Sequence, residues 1–393
     1  VVNTCGFIES AKTEAIENIL MACQYKQENP DLKVIVTGCL AERYKQQIIQ
    51  EIPEVDAVVG IGSNAALPAI VRRLCADGAD QIESYGPKSD MQLGGARVIS
   101  TPRHYAYLKI AEGCNNGCYY CAIPLIRGAL RSREINDCVA EARWLAGEGV
   151  RELILVAQDP TAYGEDWGRP GAICELLDRL QEIDGIRWIR ILYAYPERIS
   201  DAFIAAMVRN TKVVPYLDLP IQHCDDAVLK AMNRGYTREH YLELIAQLRQ
   251  RIPNIVLTSD VIVGFPGETQ EEFKETLSLI EAVRYDALFT FIFSPRRGTP
   301  AAKLPDPMPK EQKSANFQRL LRRQNEISGE KHQAYIGKTY RCLVDGEGED
   351  GLLTARTDGG RLIHLKADPS CIGTWQQAKI TGASTWALFG ELA

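Results

Sequence analysis

The sequence predicts an α/β protein in three parts: a doubly wound parallel domain, an open parallel barrel of six strand–helix units, and a small antiparallel β-barrel. Three observations carry this. Short apolar runs ending in Gly or a polar residue alternate with helical stretches from residue 1 to about 328, the pattern of parallel sheets. A stretch rich in Gly, Ser, Pro and Asp interrupts the alternation over residues 81–103 and reads as a linker. Beyond residue 329 the long helical pattern gives way to short strands between Gly-rich turns. The expected domains are therefore 1–80, 104–328 and 329–393.

Composition narrows the class. A chain of 393 residues with 46% hydrophobic content supports two or three ordinary cores. No apolar run reaches 18 residues and no basic segment with an apolar stretch opens the sequence, so neither a membrane span nor a secretory leader is expected. Twelve cysteines in such a chain point to a reducing, cytoplasmic setting and to metal binding rather than disulfides. A formal net charge of −6 argues against a surface built throughout for phosphate backbones and suits a basic partner.

In the first domain, the opening stretch Val1 to Phe7 reads as an apolar strand end bearing Cys5, and a strand over 33–37 ends in Gly38-Cys39. A helix whose stripe is Ile16, Leu20, Cys23 and Gln27 lies between them. A helix over 42–51, a strand over 55–59 and a helix over 64–75 complete the alternation. In parallel sheets ligands gather at the carboxyl ends of strands, so Cys5 and Cys39 are candidates for one shared site. Two buried thiols capping the sheet is the structural alternative. Cys23 and Cys75 read as packing residues, since free Cys is among the most buried types.

The second domain opens with Tyr107 to Arg133, YLKIAEGCNNGCYYCAIPLIRGALRSR. Cys114, Cys118 and Cys121, spaced C-x3-C-x2-C on a Gly- and Asn-rich loop after a short strand, suit three corners of a 4Fe-4S cube with the fourth iron left open. A structural zinc site normally takes four ligands in paired spacings, and the nearest fourth candidate, His104, lies across the strand. Strands follow over 152–158, 188–195, 213–221, 256–263 and 286–293. Their polar ends, Gln158-Asp159, Tyr195-Pro196-Glu197, Gln222-His223 and Gly264 to Glu268, are candidates for cofactor or substrate contact. Gly264, Gly267 and Glu268 equally suit a strand-end turn. His223 reads as a hydrogen-bonded strand-end histidine, with acid–base catalysis as the alternative. Arg127, Arg131 and Arg133 read as solvated loop residues or as partners of a carboxylate. No catalytic residue is assigned.

The last domain follows a helix over 310–331, with strands over 339–344, 351–356, 361–365 and 375–383. From Tyr335 onward it carries six Lys plus Arg against seven Asp plus Glu, a balance that favours a protein partner over RNA.

The cysteine loop is the hallmark of radical S-adenosylmethionine enzymes. The longer strings VNTCGFIESAKTEAIENI, TPRHYAYLKIAEGCNNGC, IPLIRG, VAQDPTAYG, LYAYPE and LDLPIQHCDD resemble the methylthiotransferase branch over nearly the whole chain. The resemblance implies a radical barrel followed by a TRAM-like domain, with S-adenosylmethionine bound at the open iron and cleaved by one electron. Gln158, Asp159, Gly264, Gly267 and Glu268 then fall among the cofactor contacts. It further implies a second 4Fe-4S cluster on three amino-terminal cysteines. Cys5 and Cys39 match the second and third of these; the first precedes Val1, so the second cluster is expected to be incomplete here. The implied reaction is methylthiolation of the β-carbon of an aspartate in a decoding-centre protein of the small ribosomal subunit, with flavodoxin or ferredoxin as electron donor. Arg234 to His240 and FSPRRGTPAA resemble the tRNA-modifying members, which keeps tRNA adenosine as the alternative substrate.

Overall fold

A computed structural model describes residues 1–76, 80–348 and 351–393, so 77–79 of the first expected domain and 349–350 of the last lie outside the described residues. The chain divides into two compact units. Val1–Gly95, Glu112–Arg131 and Ser294–Lys303 form the first; Ala96–Ala111, Ser132–Phe293 and Leu304–Ala393 form the second.

The first unit is built on four parallel strands in chain order, β1 (Val2–Thr4), β2 (Ile35–Gly38), β3 (Ala57–Val59) and β4 (Ile82–Ser84). Because side chains alternate along a strand, Val36 and Val58 face one side and Ile35, Ala57 and Val59 the other. Helices α1 (Glu9–Gln24), α2 (Cys39–Tyr44) and α3 (Gln46–Glu51) cover the first side through Ala15, Ile19, Leu40 and Ile48. Helix α4 (Leu67–Ala76) covers the other through Ile70 and Leu74. Both faces are thus helix-covered, as a doubly wound sheet requires. A further short helix, α5 (Ile123–Arg127), follows the cysteine loop.

Four local expectations differ. The buried stripe of α1 is Ala15, Ile19 and Cys23, while Leu20 is 45% exposed; two overlapping stripes meet the helical period, and the one bearing the small Ala15 packs on the sheet. The helix expected over 42–51 breaks at Lys45, whose φ of 41° is left-handed. Cys75 is exposed, lying off the Ile70–Leu74 face, and so is not a packing residue. Strand β4 lies inside the stretch that reads as linker; its three residues are too few to show a period, and pairing with β3 makes the strand.

In the second unit, β5 (Tyr105–Lys109), β6 (Glu152–Val156) and β7 (Trp188–Ile191) pair in parallel, as do β8 (Tyr216–Asp218), β9 (Val256–Val263) and β10 (Ala287–Ile292). A parallel bridge between Ile189 and Val213 and the Ala194 N–H bond to the Asp218 carbonyl at 2.8 Å join the two sets. The helices α6 (Ile135–Gly147), α7 (Ala172–Gln181), α8 (Asp201–Arg209), α9 (Asp226–Ala231), α10 (Arg238–Arg251) and α11 (Gln270–Val283) lie between strands in sequence. The result is the six-unit parallel barrel.

After α12 (Lys310–Gln333), five strands close a small barrel: β11 (Thr339–Glu347), β12 (Leu353–Thr357), β13 (Leu362–Lys366), β14 (Trp375–Ala383) and β15 (Leu388–Leu392). The sequence reading lacked β15, which completes the ring by pairing antiparallel with β14 and parallel with β13. The small barrel sits on the amino ends of the parallel strands. Asp345 meets His104 at 3.2 Å, Arg356 meets Glu152 at 3.0 Å, and Trp375 packs edge-on against Trp188 with ring centres 4.3 Å apart. The carboxyl ends are left for chemistry.

Candidate functional site

The cysteine loop leaves Gly113 at φ +78°, in the left-handed region where a side chain is strained. A Cβ there would also stand 2.0 Å from the Ala129 carbonyl oxygen. The loop is pinned at its base by the Cys114 N–H to the Gly128 carbonyl at 3.2 Å and by the Leu130 N–H to Asn115 Oδ1 at 3.0 Å. Amides also turn toward the sulfurs: Asn116 N–H lies 3.5 Å from Cys114 Sγ, and Ile123 N–H 3.5 Å from Cys121 Sγ. Such donors favour thiolate, the form that binds iron. Among the described residues no three His, Cys, Asp or Glu side chains stand as a set able to hold a single metal ion.

Cys5 and Cys39 directly follow Thr4 and Gly38, which are register partners on neighbouring strands, so the two thiols stand at matching strand ends. Arg127 joins this pair to the cysteine loop within the first unit. Its guanidinium donates to Cys39 Sγ at 3.3 Å and to Glu112 Oε2 at 3.0 Å. Burial opposes its charge, but Cys39 and Glu112 outweigh burial and raise its pKa. Arg296 donates to the Tyr120 carbonyl at 2.6 Å and lies 4.1 Å over the Phe7 ring; burial lowers its pKa against the pull of Cys121. Of the two readings of Arg127, Arg131 and Arg133, the carboxylate partner holds for Arg127 and Arg133, and solvation is corrected for all three. Arg131 binds the Met91 carbonyl and Arg133 pairs with Asp137 and Glu141, because the chain folds carboxylates and carbonyls around them.

In the second unit, Asp159 is buried and accepts from Thr161 N–H at 3.0 Å, from the Thr161 hydroxyl and from Arg198 at 3.2 Å. Glu268 accepts from the Gly264 and Phe265 amides and from His223 Nε2 at 3.3 Å. It closes the turn that Gly264 (φ +72°) and Gly267 (φ +88°) make possible. His223 Nδ1 accepts the Asp225 N–H at 3.1 Å, which puts its proton on Nε2, toward Glu268. Gln158 differs from these: its Oε1 is buried without a hydrogen-bond partner.

The sequence reading missed the lumen. Asp218 and Asp260 share one face of β8 and β9 with Thr258, opposite the buried Leu217, Leu257 and Val261. Thr258 donates to Asp218 at 3.1 Å. Burial raises the Asp218 pKa; burial and then the Asp218 charge push Asp260 up to about 7, against Arg234 and Gln222. Tyr193 is raised by burial, then by these two carboxylates and Tyr107. On β10, Phe289 pairs in register with Asp260 and is 52% exposed, with Phe291 at 47%. Tyr193 (φ 63°) and Gln222 (φ 71°) hold left-handed backbones at adjacent strand ends, conformations that cost about 1–3 kcal/mol each and persist where surroundings enforce them. The available signal was an aspartate at the inward alternation of an otherwise apolar strand, LDLP and TSDVIVG.

Comparison with known proteins agrees with this division. A family model described as Radical SAM superfamily matches residues 108–280, one described as Uncharacterized protein family UPF0004 matches 1–60, and one described as TRAM domain matches 333–393. The ribosomal protein uS12 methylthiotransferase RimO of Acetivibrio thermocellus is 41% identical over 405 residues, spanning 100% of this chain and 89% of its own. The protein of the same name from Anaeromyxobacter sp. (strain Fw109-5) is 44% identical over 100% of this chain and 84% of its own. Among solved structures, the radical S-adenosylmethionine methyltransferase TsrM from Kitasatospora setae matches with a TM-score of 0.55 at 14% identity, over 73% of this chain and 60% of that one, a likeness of fold.

Proposed function

The chain belongs to the ribosomal protein uS12 methylthiotransferase family, and from that premise we propose that it replaces a C–H bond at the β-carbon of an aspartate in uS12 with C–S–CH3. One S-adenosylmethionine serves as methyl donor and another as radical source. The whole-chain identity to uS12 methylthiotransferases is the observation that carries this reading, and it favours the ribosomal protein over tRNA. A cytoplasmic enzyme is the matching setting; no helix among the described residues is long and apolar enough to cross a membrane.

The residues suit the groups the reaction needs. We assign Cys114, Cys118 and Cys121 to a 4Fe-4S cluster: three thiols with amide donors on two of the sulfurs, on a loop whose first glycine admits no side chain. Cys5 and Cys39 supply two ligands toward a second cluster, and Arg127 holds Cys39 in place. The cluster and S-adenosylmethionine, when bound, supply one-electron chemistry able to remove hydrogen from an unactivated carbon. Gln158 offers its unpartnered oxygen to the cofactor, and Gly264 and Gly267 a close backbone surface. Asp159 and Glu268 serve by fixing those two strand-end loops. Asp218 and Asp260 suit the ammonium or ribose hydroxyls of the cofactor, with Phe289 and Phe291 as apolar walls.

The test is anaerobic reconstitution, followed by measurement of 5'-deoxyadenosine release and of the intact mass of uS12. The wild type should release deoxyadenosine, and any mass gained by uS12 should be that of one methylthio group. Cys114→Ala, Cys118→Ala and Cys121→Ala should each abolish both. Wild-type release in any of the three variants would refute the cluster assignment; modification of tRNA with uS12 untouched would refute the substrate.

A further inference from the structure

The first unit carries a cleft of about 440 Å³ whose lining includes Glu42, Arg43, Lys45, Lys88, Leu125 and Arg297. Four of these are cations, a local reversal in a chain of formal net charge −6. The single carboxylate, Glu42, is buried and accepts the Ile61 N–H at 3.2 Å, turned toward the protein. The cations are anchored mainly by carbonyls rather than by counter-charges. Arg43 donates to the Gly6 carbonyl at 2.6 Å and to the Arg297 carbonyl at 2.9 Å, and Lys88 to the Leu125 carbonyl at 2.5 Å. Lys45 reaches Glu42 only at 3.9 Å and is half exposed, and Arg297 is exposed. Their positive field therefore points outward, largely uncancelled.

The walls of this cleft grow from both cysteine segments. Helix α2 starts at Cys39 and ends at Tyr44, about 7.5 Å of helical rise, with Lys45 next in the chain; Leu125 lies on α5, four residues beyond Cys121 in sequence. Electron transfer weakens steeply with distance, so a donor must dock close to the thiolates it serves. We propose that this cleft is the docking surface for a small acidic one-electron carrier protein that reduces the cluster on Cys114, Cys118 and Cys121. The proposal rests on the cluster assignment made above. One electron leaves the carrier, which is oxidised, and enters the cluster, which is reduced; no atom changes hands. A single-stranded RNA is the other polyanion to weigh, but RNA grips track the backbone along a groove and stack bases on a series of aromatic side chains. Here the cations ring one cleft beside the cysteines, with Tyr44 the sole aromatic in the lining.

The test uses reconstituted enzyme, with reduced flavodoxin and dithionite as alternative reductants in anaerobic stopped-flow experiments. In the wild type, reduction by flavodoxin should slow as ionic strength rises. Lys45→Glu combined with Arg297→Glu should slow it at least about tenfold at low salt, with the Lys45→Ala, Arg297→Ala pair in between. Iron content and reduction by small, diffusible dithionite should not change. An unchanged flavodoxin rate in the charge-reversed variant overturns the docking surface, and so does loss of RNA binding in that variant with electron transfer intact. A wild type that holds no dithionite-reducible cluster fails at the cluster assignment instead and takes this proposal with it.

Discussion

The two ends of the parallel barrel both bury carboxylates, and they do so in opposite ways. At the amino end each carboxylate faces cations: Glu152 meets Arg190 at 2.8 Å and Arg356 at 3.0 Å, Asp345 meets His104 and Arg356, and Asp286 meets Lys331 and Arg361. In the lumen, Asp218 and Asp260 face each other, with a threonine hydroxyl and amides as partners and Arg234 as the opposing charge. The lesson is that buried charge alone does not mark a site. Charge that the fold has compensated holds domains together, whereas charge compensated only in part, beside exposed aromatics, is the kind of surface a binding pocket offers a ligand.

The largest expected effect breaks the amino end. Glu152→Ala leaves the buried Arg190 without its carboxylate, while Arg356 keeps Asp345, and should cost about 3–5 kcal/mol in denaturant unfolding. Deoxyadenosine release per folded molecule should persist. A loss below about 1 kcal/mol would mean that this pairing is ornamental. The lumen should respond the other way. Asp260→Asn relieves a carboxylate raised to about 7 and should add on the order of 2–3 kcal/mol at pH 8, while weakening S-adenosylmethionine binding about tenfold or more. Destabilisation with unchanged binding would cancel the contrast between the ends.

An intermediate effect concerns aromatic residues. Trp375 packs on Trp188 at the amino end, and Trp375→Ala should cost about 1–3 kcal/mol. Phe289 points into the open lumen, so Phe289→Ala should change stability by no more than about 0.5 kcal/mol and show its effect in ligand affinity. Paired calorimetry and binding titration on both variants would expose any reversal.

How legible these features were depended on how local their cause is. The cysteine triad spans eight residues of one loop, so spacing alone disclosed it. Strands β9 and β14 were read at their observed bounds because a continuous β-branched run or alternation lies between clear breakers. Strands β4 and β15 were missed, since Ile82–Ser84 is short and polar and Leu388–Leu392 contains Gly390; both are strands by virtue of their partners. The lumen pair was invisible for the same reason. Asp218 and Asp260 are separated by 42 residues, and only the register Asp218 with Thr258 brings them together. Arg127 could be read as solvated or as a carboxylate's partner, and its bond to Cys39 was out of sight because that residue is 88 positions away.

The smallest effect, and the sharpest on sign, is the pH dependence of stability. Burial works to raise the Asp345 pKa, but bonds from His104 and Arg356 outweigh it and hold the carboxyl below its usual value of 3.8. A depressed carboxyl contributes stability above its unfolded pKa and loses it as pH falls through the folded one. Asp260 is raised, so its contribution is complete below 3.8 and is lost as pH climbs toward about 7. Stability of the ligand-free protein should therefore fall on both sides, through the amino end in acid and through the lumen near neutrality. Asp345→Asn should flatten the acid limb alone, and Asp260→Asn the neutral limb alone. If one variant flattened both limbs, or each flattened the wrong one, the two ends would share a single charge network. The lumen acids could then no longer be read as a site set apart from the scaffold.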